Sequence, residues 1–330
     1  MKIVIPGGTG QVGRVLSRTL QARGDEVVVV SRGGTTDARV VPWDGATLGS
    51  WADEIDGADV VINLAGRNVN CRYTDSNRKA MMSSRVDSTR AVGLAIEKAG
   101  RPPRVWLQMS TATIYAHRFD GPNDESTGLI GGDEPDAPSD WKFSIEIAKA
   151  WERAQKEAST PRTRKVALRS AMIMSPDRGG IFDVLLGLTR AGLGGPIAGG
   201  RQFVSWIHER DFCRAVDFLI AHGDIEGPVN LAAPNPLPQH DFMAALRAAW
   251  GTRVGLPATR WMAEIGAFLL GSDTELTFKS RRVVPERLLG AGFTFDYPEW
   301  PSAARDLVDR WRGAKRASST STAPAGAVGA

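Results

Sequence analysis

Short apolar runs alternate with amphipathic segments along the first half of the chain. Runs of β-branched residues, such as 27–30 and 60–62, are typical of strands that are buried on both faces. Between such runs, apolar residues recur at helical spacing, as Val12, Val15 and Leu16 do. The predicted strands cover 2–5, 26–30, 40–41, 59–64, 105–109 and 165–169, and the predicted helices cover 11–21, 74–99 and 141–158. This alternation predicts an α/β fold with a doubly wound parallel sheet of the Rossmann type.

The pattern changes after about residue 176, where glycine- and proline-rich loops separate short helices. In this part we predict a strand at 229–231 and helices at 239–250 and 257–271. The expected domains are a Rossmann domain over 1–175 and a smaller C-terminal α/β lobe over 176–312, whose chain partly returns to the sheet. Residues 313–330 are mostly small, and we predict a disordered tail for them because they bury little surface.

Composition narrows the classes of function. The net charge of +4 comes from 41 basic and 37 acidic residues, and no basic run contains interleaved aromatics, so no nucleic-acid partner is expected. Cys71 and Cys213 form neither a disulfide framework nor a zinc spacing, and we predict no metal site. No apolar run approaches the ~18 residues of a membrane helix, so we expect no membrane association and a cytoplasmic location. The oligomeric state stays open.

The strongest chemical signal lies between the first strand and the first helix. The run Gly7-Gly8-Thr9-Gly10-Gln11-Val12-Gly13 satisfies both G-x-G-x-x-G and G-x-x-G-x-x-G. Glycines let the backbone approach a pyrophosphate, and the amides at a helix N-terminus favour an anion. The loop lies after a predicted strand and before a predicted helix and a second strand, which is the order that a dinucleotide-binding unit requires. These residues therefore predict a dinucleotide site.

The end of the second strand indicates which dinucleotide binds. NAD-binding units carry an acidic residue there for the ribose 2′-hydroxyl, whereas this chain has Ser31-Arg32. A guanidinium pairs with a 2′-phosphate and a serine hydroxyl can add a hydrogen bond, so we predict NADP(H). An ordinary surface arginine is the alternative. Asp44, after the third strand, either approaches the adenine or belongs to a plain turn.

The motifs together resemble a known group, the atypical epimerase-like branch of the extended short-chain dehydrogenase/reductase superfamily. The resemblance covers about residues 1–312, and the branch's members are named sugar-nucleotide epimerases. It rests on GGTGQVG at 7–13, SR at 31–32, VINLAG at 61–66, SRVDSTR at 84–90, STATIY at 110–115, GLGGPIAGGRQFVSWIHERD at 192–211, GPVNLAAPNP at 227–236 and RRVVPERLLGAGFTF at 281–295.

The resemblance also implies roles for individual residues. Leu64, Ala65 and Gly66 would contact the adenosine half of the cofactor, and Arg72 would reach cofactor phosphate or substrate. Thr111, with Ser110 beside it, takes the position of the catalytic hydroxyl, which would hydrogen-bond a substrate oxygen.

One feature of the superfamily is missing. Its chemistry uses a Tyr-x-x-x-Lys pair, and no tyrosine of this chain has a lysine four residues later. Counting back from Glu152 places Ser144 and Ala148 at the two positions. Lys149 lies one residue further on, which is about 100° around a helix.

Three hypotheses about function follow. The first is an NADP(H)-dependent epimerase or oxidoreductase that acts on a small carbonyl or hydroxyl compound, with Thr111 and either water or a substrate group in place of the tyrosine. The second is a non-catalytic NADP(H)-binding sensor or scaffold. The third is an enzyme whose general acid comes from the C-terminal lobe, where His208 is a candidate. The missing pair favours the second hypothesis, whereas the retained hydroxyl and the second lobe favour an enzyme.

Overall fold

A seven-stranded parallel sheet forms the centre of the protein, for which the computed structural model describes residues 1–69, 71–134, 139–259, 261–262 and 278–320. The strands are β1 Lys2–Pro6, β2 Glu26–Ser31, β3 Arg39–Pro42, β4 Val60–Asn63, β5 Val105–Thr111, β6 Arg164–Ser170, β7 Met172–Met174, β8 Phe203–Val204, β9 Trp206–His208, β10 Gly227–Leu231 and β11 Leu237–Pro238. The central sheet has the order β3-β2-β1-β4-β5-β6-β10, and all its neighbours pair in parallel. This order is that of a doubly wound dinucleotide-binding fold, which confirms the predicted fold class.

Eight helices and two 3-10 turns connect these strands in the described parts of the chain. The helices are α1 Gln11–Ala22, α2 Asp75–Lys98, α3 Ser139–Glu157, α4 Ile181–Arg190, α5 Glu209–Ala221, α6 Gln239–Trp250, α7 Glu286–Gly290 and α8 Trp300–Thr320, and the turns are Ser50–Glu54 and Ala112–Ile114. The predicted helices of the first half are confirmed to within two residues at each end. Most of the helix predicted at 257–271 lies outside the described residues.

Alternating side chains of the strands divide the core into two layers. Ile3 and Ile5 of β1 pack with α1 and α5 on one face, whereas Val4 packs with α2 on the other. All three side chains are inaccessible to solvent. The β-branched strands are therefore covered on both sides, as their continuous apolar runs predict.

A second core lies in the C-terminal half, where α4, α6 and α8 pack together. Trp300 at the start of α8 is fully buried and its ring stacks on Phe242 at 4.0 Å. The chain returns to the central sheet through β10, which pairs with β6. The domain boundary near residue 175 stays a prediction.

The prediction that a disordered tail begins at Gly313 is wrong for its first part, because α8 continues to Thr320. The apolar face of this helix, including Leu307 and Trp311, packs on α4 and α6. The helix is therefore longer than the composition of 313–330 suggests. Residues 321–330 lie outside the described range. Among the helices that the structure describes, none is long and apolar enough to cross a membrane.

Candidate functional site

The loop between β1 and α1 turns tightly against the end of β4. Gly7 has a φ of +77°, and a Cβ there would lie 2.6 Å from the Cα of Ala65. A Cβ on Gly13 would lie 2.2 Å from the carbonyl oxygen of Gly8. The protein's own packing therefore requires both glycines: Gly7 for its backbone conformation and Gly13 for the contact between helix and turn.

Gly10 is a glycine that packing does not require. Its φ of −69° suits any residue, and a Cβ there would meet only the carbonyl oxygen of Gly7, at 3.8 Å, outside its own helix. Gly10 caps α1 without a side-chain hydrogen bond, and among the described residues no side chain accepts from the amides of the first turn. Open space and free donors thus meet at one point. The residues present fit the pyrophosphate of a dinucleotide there.

The other residues of the loop join it to its surroundings. The Oγ1 atom of Thr9 lies 2.8 Å from the Oγ of Ser31. Val12 packs against the core below the sheet. Gln11 reaches Gly180, where a Cβ would lie 2.0 Å from its Nε2. This buried nitrogen has no hydrogen-bond partner among the described residues. It is therefore a donor that a ligand at the loop could satisfy.

Ser31 and Arg32 lie where β2 ends, next to this loop. The Ser31 hydroxyl is 8% exposed and also lies 2.8 Å from the carbonyl oxygen of Gly33, to which it donates. Arg32 is exposed, and its Cδ would lie 3.4 Å from a Cβ on Gly45. In the described part of the chain its guanidinium makes neither a hydrogen bond nor an ion pair. The exposed cation is therefore available to an anion beside Ser31.

Asp44 belongs to the turn that follows β3. Its Oδ1 accepts hydrogen bonds from the amides of Ala46 and Thr47, both at 2.8 Å. Of the two interpretations of Asp44, the plain turn is the one the contacts support.

The end of β4 borders the same loop. The amide of Leu64 donates to the carbonyl of Pro6 at 2.8 Å, and Ala65 lies against Gly7. A Cβ on Gly66 would lie 3.4 Å from the Cγ of Arg85. The three residues expected to contact adenosine thus lie beside the phosphate loop, although contact with a cofactor stays a prediction.

Arg85 of α2 supports this segment from below. Its Nη1 donates to the carbonyl of Met81 and its Nη2 to that of Arg67, while its guanidinium lies 5.0 Å from the ring of Trp151. Burial lowers the pKa of the guanidinium to about 10. In the described chain its direct partners are carbonyls and a ring rather than carboxylates, so Arg85 holds the backbone after β4 in place.

Arg72 lies on the exposed loop that leads into α2. Its carbonyl accepts hydrogen bonds from the amide of Thr74 and from the Nδ2 of Asn77, at 2.9 and 2.8 Å. The backbone of Arg72 thus helps to begin the helix. A contact of its side chain with cofactor or substrate stays a prediction.

Ser110 is committed to a buried polar network. Its hydroxyl donates to the Oε1 of Glu152 at 2.7 Å. Arg169 forms a bidentate pair with the same carboxylate at 2.9 and 2.8 Å. Although burial opposes it, this pairing raises the pKa of Arg169 above its ordinary value. The structure therefore places Ser110, one of the two predicted catalytic hydroxyls, in a network that joins β5, β6 and α3.

Tyr115 belongs to the same network. Its hydroxyl donates to the Oδ1 of Asn230 at 2.9 Å and accepts from the Nη1 of Arg169 at 3.0 Å. The side chain is 2% exposed, and burial raises the pKa of the phenol. This tyrosine is therefore enclosed and partnered, which does not suit a group that exchanges a proton with substrate.

Thr111 has a different environment at the end of β5. Its Oγ1 accepts a hydrogen bond from the amide of Thr113 at 3.1 Å, and the residue is partly exposed. No acceptor for its hydroxyl proton lies within reach among the described residues. The hydroxyl is thus oriented by the backbone and keeps one donor for a substrate oxygen.

The positions of the missing pair lie on α3, next to this strand end. Ser144 stands at the tyrosine position, and Ala148, at the lysine position, is inaccessible to solvent. The side chain of Lys149 extends toward the loop that contains Gly132, where a Cβ would lie 3.3 Å from its Nζ. The contacts thus agree with the prediction that Lys149 does not replace the missing lysine.

A segment of the C-terminal half, residues 279–281, crosses the loop after β5, and no motif of the sequence indicates this contact. The Nζ of Lys279 donates to the carbonyl of Thr113 at 2.8 Å, and the Nε of Arg281 to its hydroxyl at 3.3 Å. The amide of Ser280 donates to the Nδ1 of His117 at 2.8 Å, which leaves the proton of a neutral imidazole on Nε2. Burial, followed by the charge of Lys279, lowers the pKa of His117. These residues are 163 or more positions apart in sequence, so no spacing could have paired them.

His208 is a structural residue. It is fully buried, its Nε2 lies 3.0 Å from the Oδ2 of Asp306, and its Nδ1 accepts from the amide of Arg210. Burial is the largest influence on its pKa, which is lowered. Asp211 accepts from the amides of Asp296 and Tyr297, both at 2.8 Å. This segment therefore anchors the approach to α8, and a catalytic role of His208 stays a prediction.

Metal ligands and reactive thiols do not stand out. The described residues contain no group of three or more His, Cys, Asp or Glu side chains that could hold a metal ion. Both cysteines are free, and burial raises the pKa of the Cys213 thiol to about 12.

Comparison with known proteins identifies the family. A model described as the NAD dependent epimerase/dehydratase family matches residues 3–232. The chain belongs to this family. A second model, a domain of unknown function named DUF1731, matches residues 259–307. The predicted resemblance to an epimerase-like branch with its own C-terminal domain is thereby confirmed.

Relatives within the family cover nearly the whole chain. The Epimerase family protein SDR39U1 of Bos taurus is 30% identical over 312 residues, which are 93% of this chain and 100% of that protein. The Epimerase family protein SERP0438 of Staphylococcus epidermidis is 31% identical over 309 residues, with 93% and 99% covered.

Two solved structures of similar sequence share the fold. The crystal structure of the human epimerase family protein SDR39U1 with NADPH is 28% identical, has a TM-score of 0.80, and matches over 94% of this chain and 99% of that chain. A nucleoside-diphosphate sugar epimerase from Corynebacterium glutamicum is 28% identical with a TM-score of 0.73, covering 94% of this chain and 58% of that one.

Proposed function

We propose that the protein binds NADP(H) on the loop Gly7–Gly13 and acts as an epimerase or oxidoreductase on a small carbonyl or hydroxyl compound. The observation that carries the proposal is the open space over Gly10, together with the exposed guanidinium of Arg32, which has no ion-pair partner among the described residues. A pyrophosphate suits the first and a 2′-phosphate suits the second. The human relative whose structure contains NADPH supports the same cofactor.

The chemistry at the other end of the site follows from the strand order. In a doubly wound sheet the ligand lies across the carboxyl ends of the strands, so the nicotinamide half would lie toward the end of β5. Bound NADP(H) supplies or accepts a hydride. The hydroxyl of Thr111 donates to the substrate oxygen and polarises it, while Ser110, Glu152 and Arg169 hold the strand end in place. With Ser144 and Ala148 at the pair positions, the proton on that oxygen is exchanged with water or with a group of the substrate.

A second candidate function is a non-catalytic NADP(H)-binding sensor or scaffold. The observation that favours it is the buried Ala148, which offers no ammonium group at the place where the superfamily has its lysine. Both functions share the cofactor site, and they differ in whether a substrate turns over.

The cofactor is tested by calorimetric titration of the protein with NADPH and NADH. A charge-assisted contact with a 2′-phosphate is worth about 1.5–3 kcal/mol, or roughly ten- to a hundredfold in affinity, so NADPH should bind more tightly by this factor. Arg32→Asp should erase or reverse the preference. Arg39→Gln is the matched control, because Arg39 is paired with Glu54 at 2.6 Å and should leave the preference intact. Equal affinities of the unaltered protein for the two cofactors would contradict the proposal.

Catalysis is tested with a panel of aldehydes, ketones and nucleotide sugars. NADPH absorbance reports oxidoreduction, and an isomerisation assay reports reactions without net oxidation. Turnover of a panel member supports the enzyme. Tight NADPH binding without any turnover would favour the sensor or scaffold.

A further inference from the structure

The five arginines of residues 1–42 fall into two classes. Arg18, Arg23 and Arg39 each pair with a carboxylate, at distances of 2.5–2.7 Å. Arg14 and Arg32 have no carboxylate within ion-pair distance in the described chain. One of these two arginines directly follows the phosphate loop in sequence, and the other directly follows β2.

Arg14 is anchored to the phosphate loop itself. It follows Gly13 in the first turn of α1, and its Nη1 donates to the carbonyl of Thr9 at 2.8 Å. The hydroxyl of Thr9 lies 2.8 Å from that of Ser31, the residue expected beside a 2′-phosphate. A short chain of hydrogen bonds therefore connects Arg14 to the end of β2.

A cavity of 220 Å³ lies along this side of the loop. Arg14 and Arg18 line it from α1, and Thr35, Thr36 and Asp37 line it from the loop after β2. The Arg18 guanidinium is held by Asp177, and Asp37 is exposed, with no arginine paired to its carboxylate in the described residues. Arg14 is therefore the cation in this cavity whose charge is not already balanced by a bound carboxylate.

We propose that Arg14 is a second binding residue for the cofactor's 2′-phosphate, reaching it from the α1 side while Arg32 reaches it from β2; this inference rests on the NADP(H) binding proposed above. Two guanidiniums around one phosphate double the number of charge-assisted donors. Selectivity for NADP(H) over NAD(H) then depends on both arginines, and the Thr9 carbonyl fixes the direction of Arg14.

The experiment compares 2′,5′-ADP with 5′-AMP by calorimetry, on the full chain at low ionic strength. These probes contain the adenosine end of the cofactor and differ in the 2′-phosphate. Arg14→Gln should weaken binding of 2′,5′-ADP by about ten- to a hundredfold and leave 5′-AMP within about twofold. Arg14→Lys, which keeps the charge but loses the planar fork, should give an intermediate loss. The matched control is Arg18→Gln, which removes a cavity-lining but paired arginine and should change neither affinity by more than about twofold.

The other outcomes contradict either the inference about Arg14 or the proposed binding of NADP(H). If Arg14→Gln weakens both probes equally, Arg14 supports the loop through Thr9 and does not bind the phosphate. If it weakens neither while Arg32→Gln lowers 2′,5′-ADP affinity, the inference fails and the proposed function stands. If the unaltered protein binds 2′,5′-ADP no better than 5′-AMP, the NADP(H) proposal fails together with the inference. Thermal unfolding of each variant shows that it is folded.

Discussion

The two ends of the candidate site differ in how many of their polar groups already have a protein partner. The edge proposed for the cofactor, called the cofactor edge, is formed by the loops after β1, β2 and β4. It has glycines, open space and, in Arg32, a cation without a carboxylate partner among the described residues. The edge proposed for catalysis, called the catalytic edge, is formed by the end of β5 and by α3, and it has Ser144 and Ala148 at the positions expected for the tyrosine and lysine. Its remaining polar groups are mostly occupied: Ser110, Tyr115 and Arg169 bind one another or Glu152 and Asn230.

This difference indicates that a ligand site is marked by polar groups without a protein partner more than by residues that match a motif. At the cofactor edge the guanidinium of Arg32 lacks a protein partner in the described chain. At the catalytic edge Ser110 matches the motif but is fully engaged, whereas Thr111 keeps a free donor. Ser110 therefore contributes to the fold, whereas Arg32 and Thr111 are accessible and can still bind a ligand.

The largest expected effect breaks the cofactor edge. Gly10→Val adds a branched side chain where the structure leaves open space, and we expect NADPH binding to fall below detection while the fold persists. Calorimetry and thermal unfolding measure the two outcomes. Gly223→Val is the matched control, because a Cβ there meets nothing within 4 Å and Gly223 lies in the turn after α5, outside the site. Normal NADPH affinity in Gly10→Val would mean that the pyrophosphate lies elsewhere.

The next effect tests whether the charges of the catalytic edge are structural. Glu152→Gln leaves Arg169 partly buried without a carboxylate, and losing one partner of a buried ion pair costs about 3 kcal/mol of unfolding free energy. Denaturant titration measures it. Asp120→Asn, which breaks the exposed pair with Arg118, should give no measurable shift. An unchanged midpoint for Glu152→Gln would show that the network does not stabilise the fold.

The last prediction concerns turnover alone, at Thr111. Thr111→Val keeps the shape and deletes the hydroxyl, and losing a hydrogen bond made mainly in the transition state lowers turnover by about 10²–10³. Tyr115→Phe removes the nearest phenol and should lower turnover little, since Tyr115 bonds to Arg169 and Asn230. NADPH affinity should stay constant in both. The assay uses a substrate found with the panel, and full activity of Thr111→Val would remove this residue from the mechanism.

Local sequence determined the first half of the molecule. Strand patterning and the loop Gly7–Gly13 predict the sheet and the cofactor edge, because a phosphate loop is built from consecutive residues whose backbone conformation depends on glycine. The absence of Tyr-x-x-x-Lys is likewise visible in sequence. Composition misled at Gly313, because helix α8 extends through residues that look like a tail but continue a helix packed on α4 and α6.

Which polar groups have a protein partner depends on the tertiary structure. Ser110 contacts Glu152, and Lys279 and Ser280 reach the loop after β5. Arg18 pairs with a carboxylate, whereas Arg14 has none within the described residues. Such contacts link residues tens to hundreds of positions apart, and side-chain hydrogen bonds have no periodicity that a sequence could display. A motif names the residues that chemistry requires, whereas three-dimensional packing determines which of them still have a donor or a charge to offer.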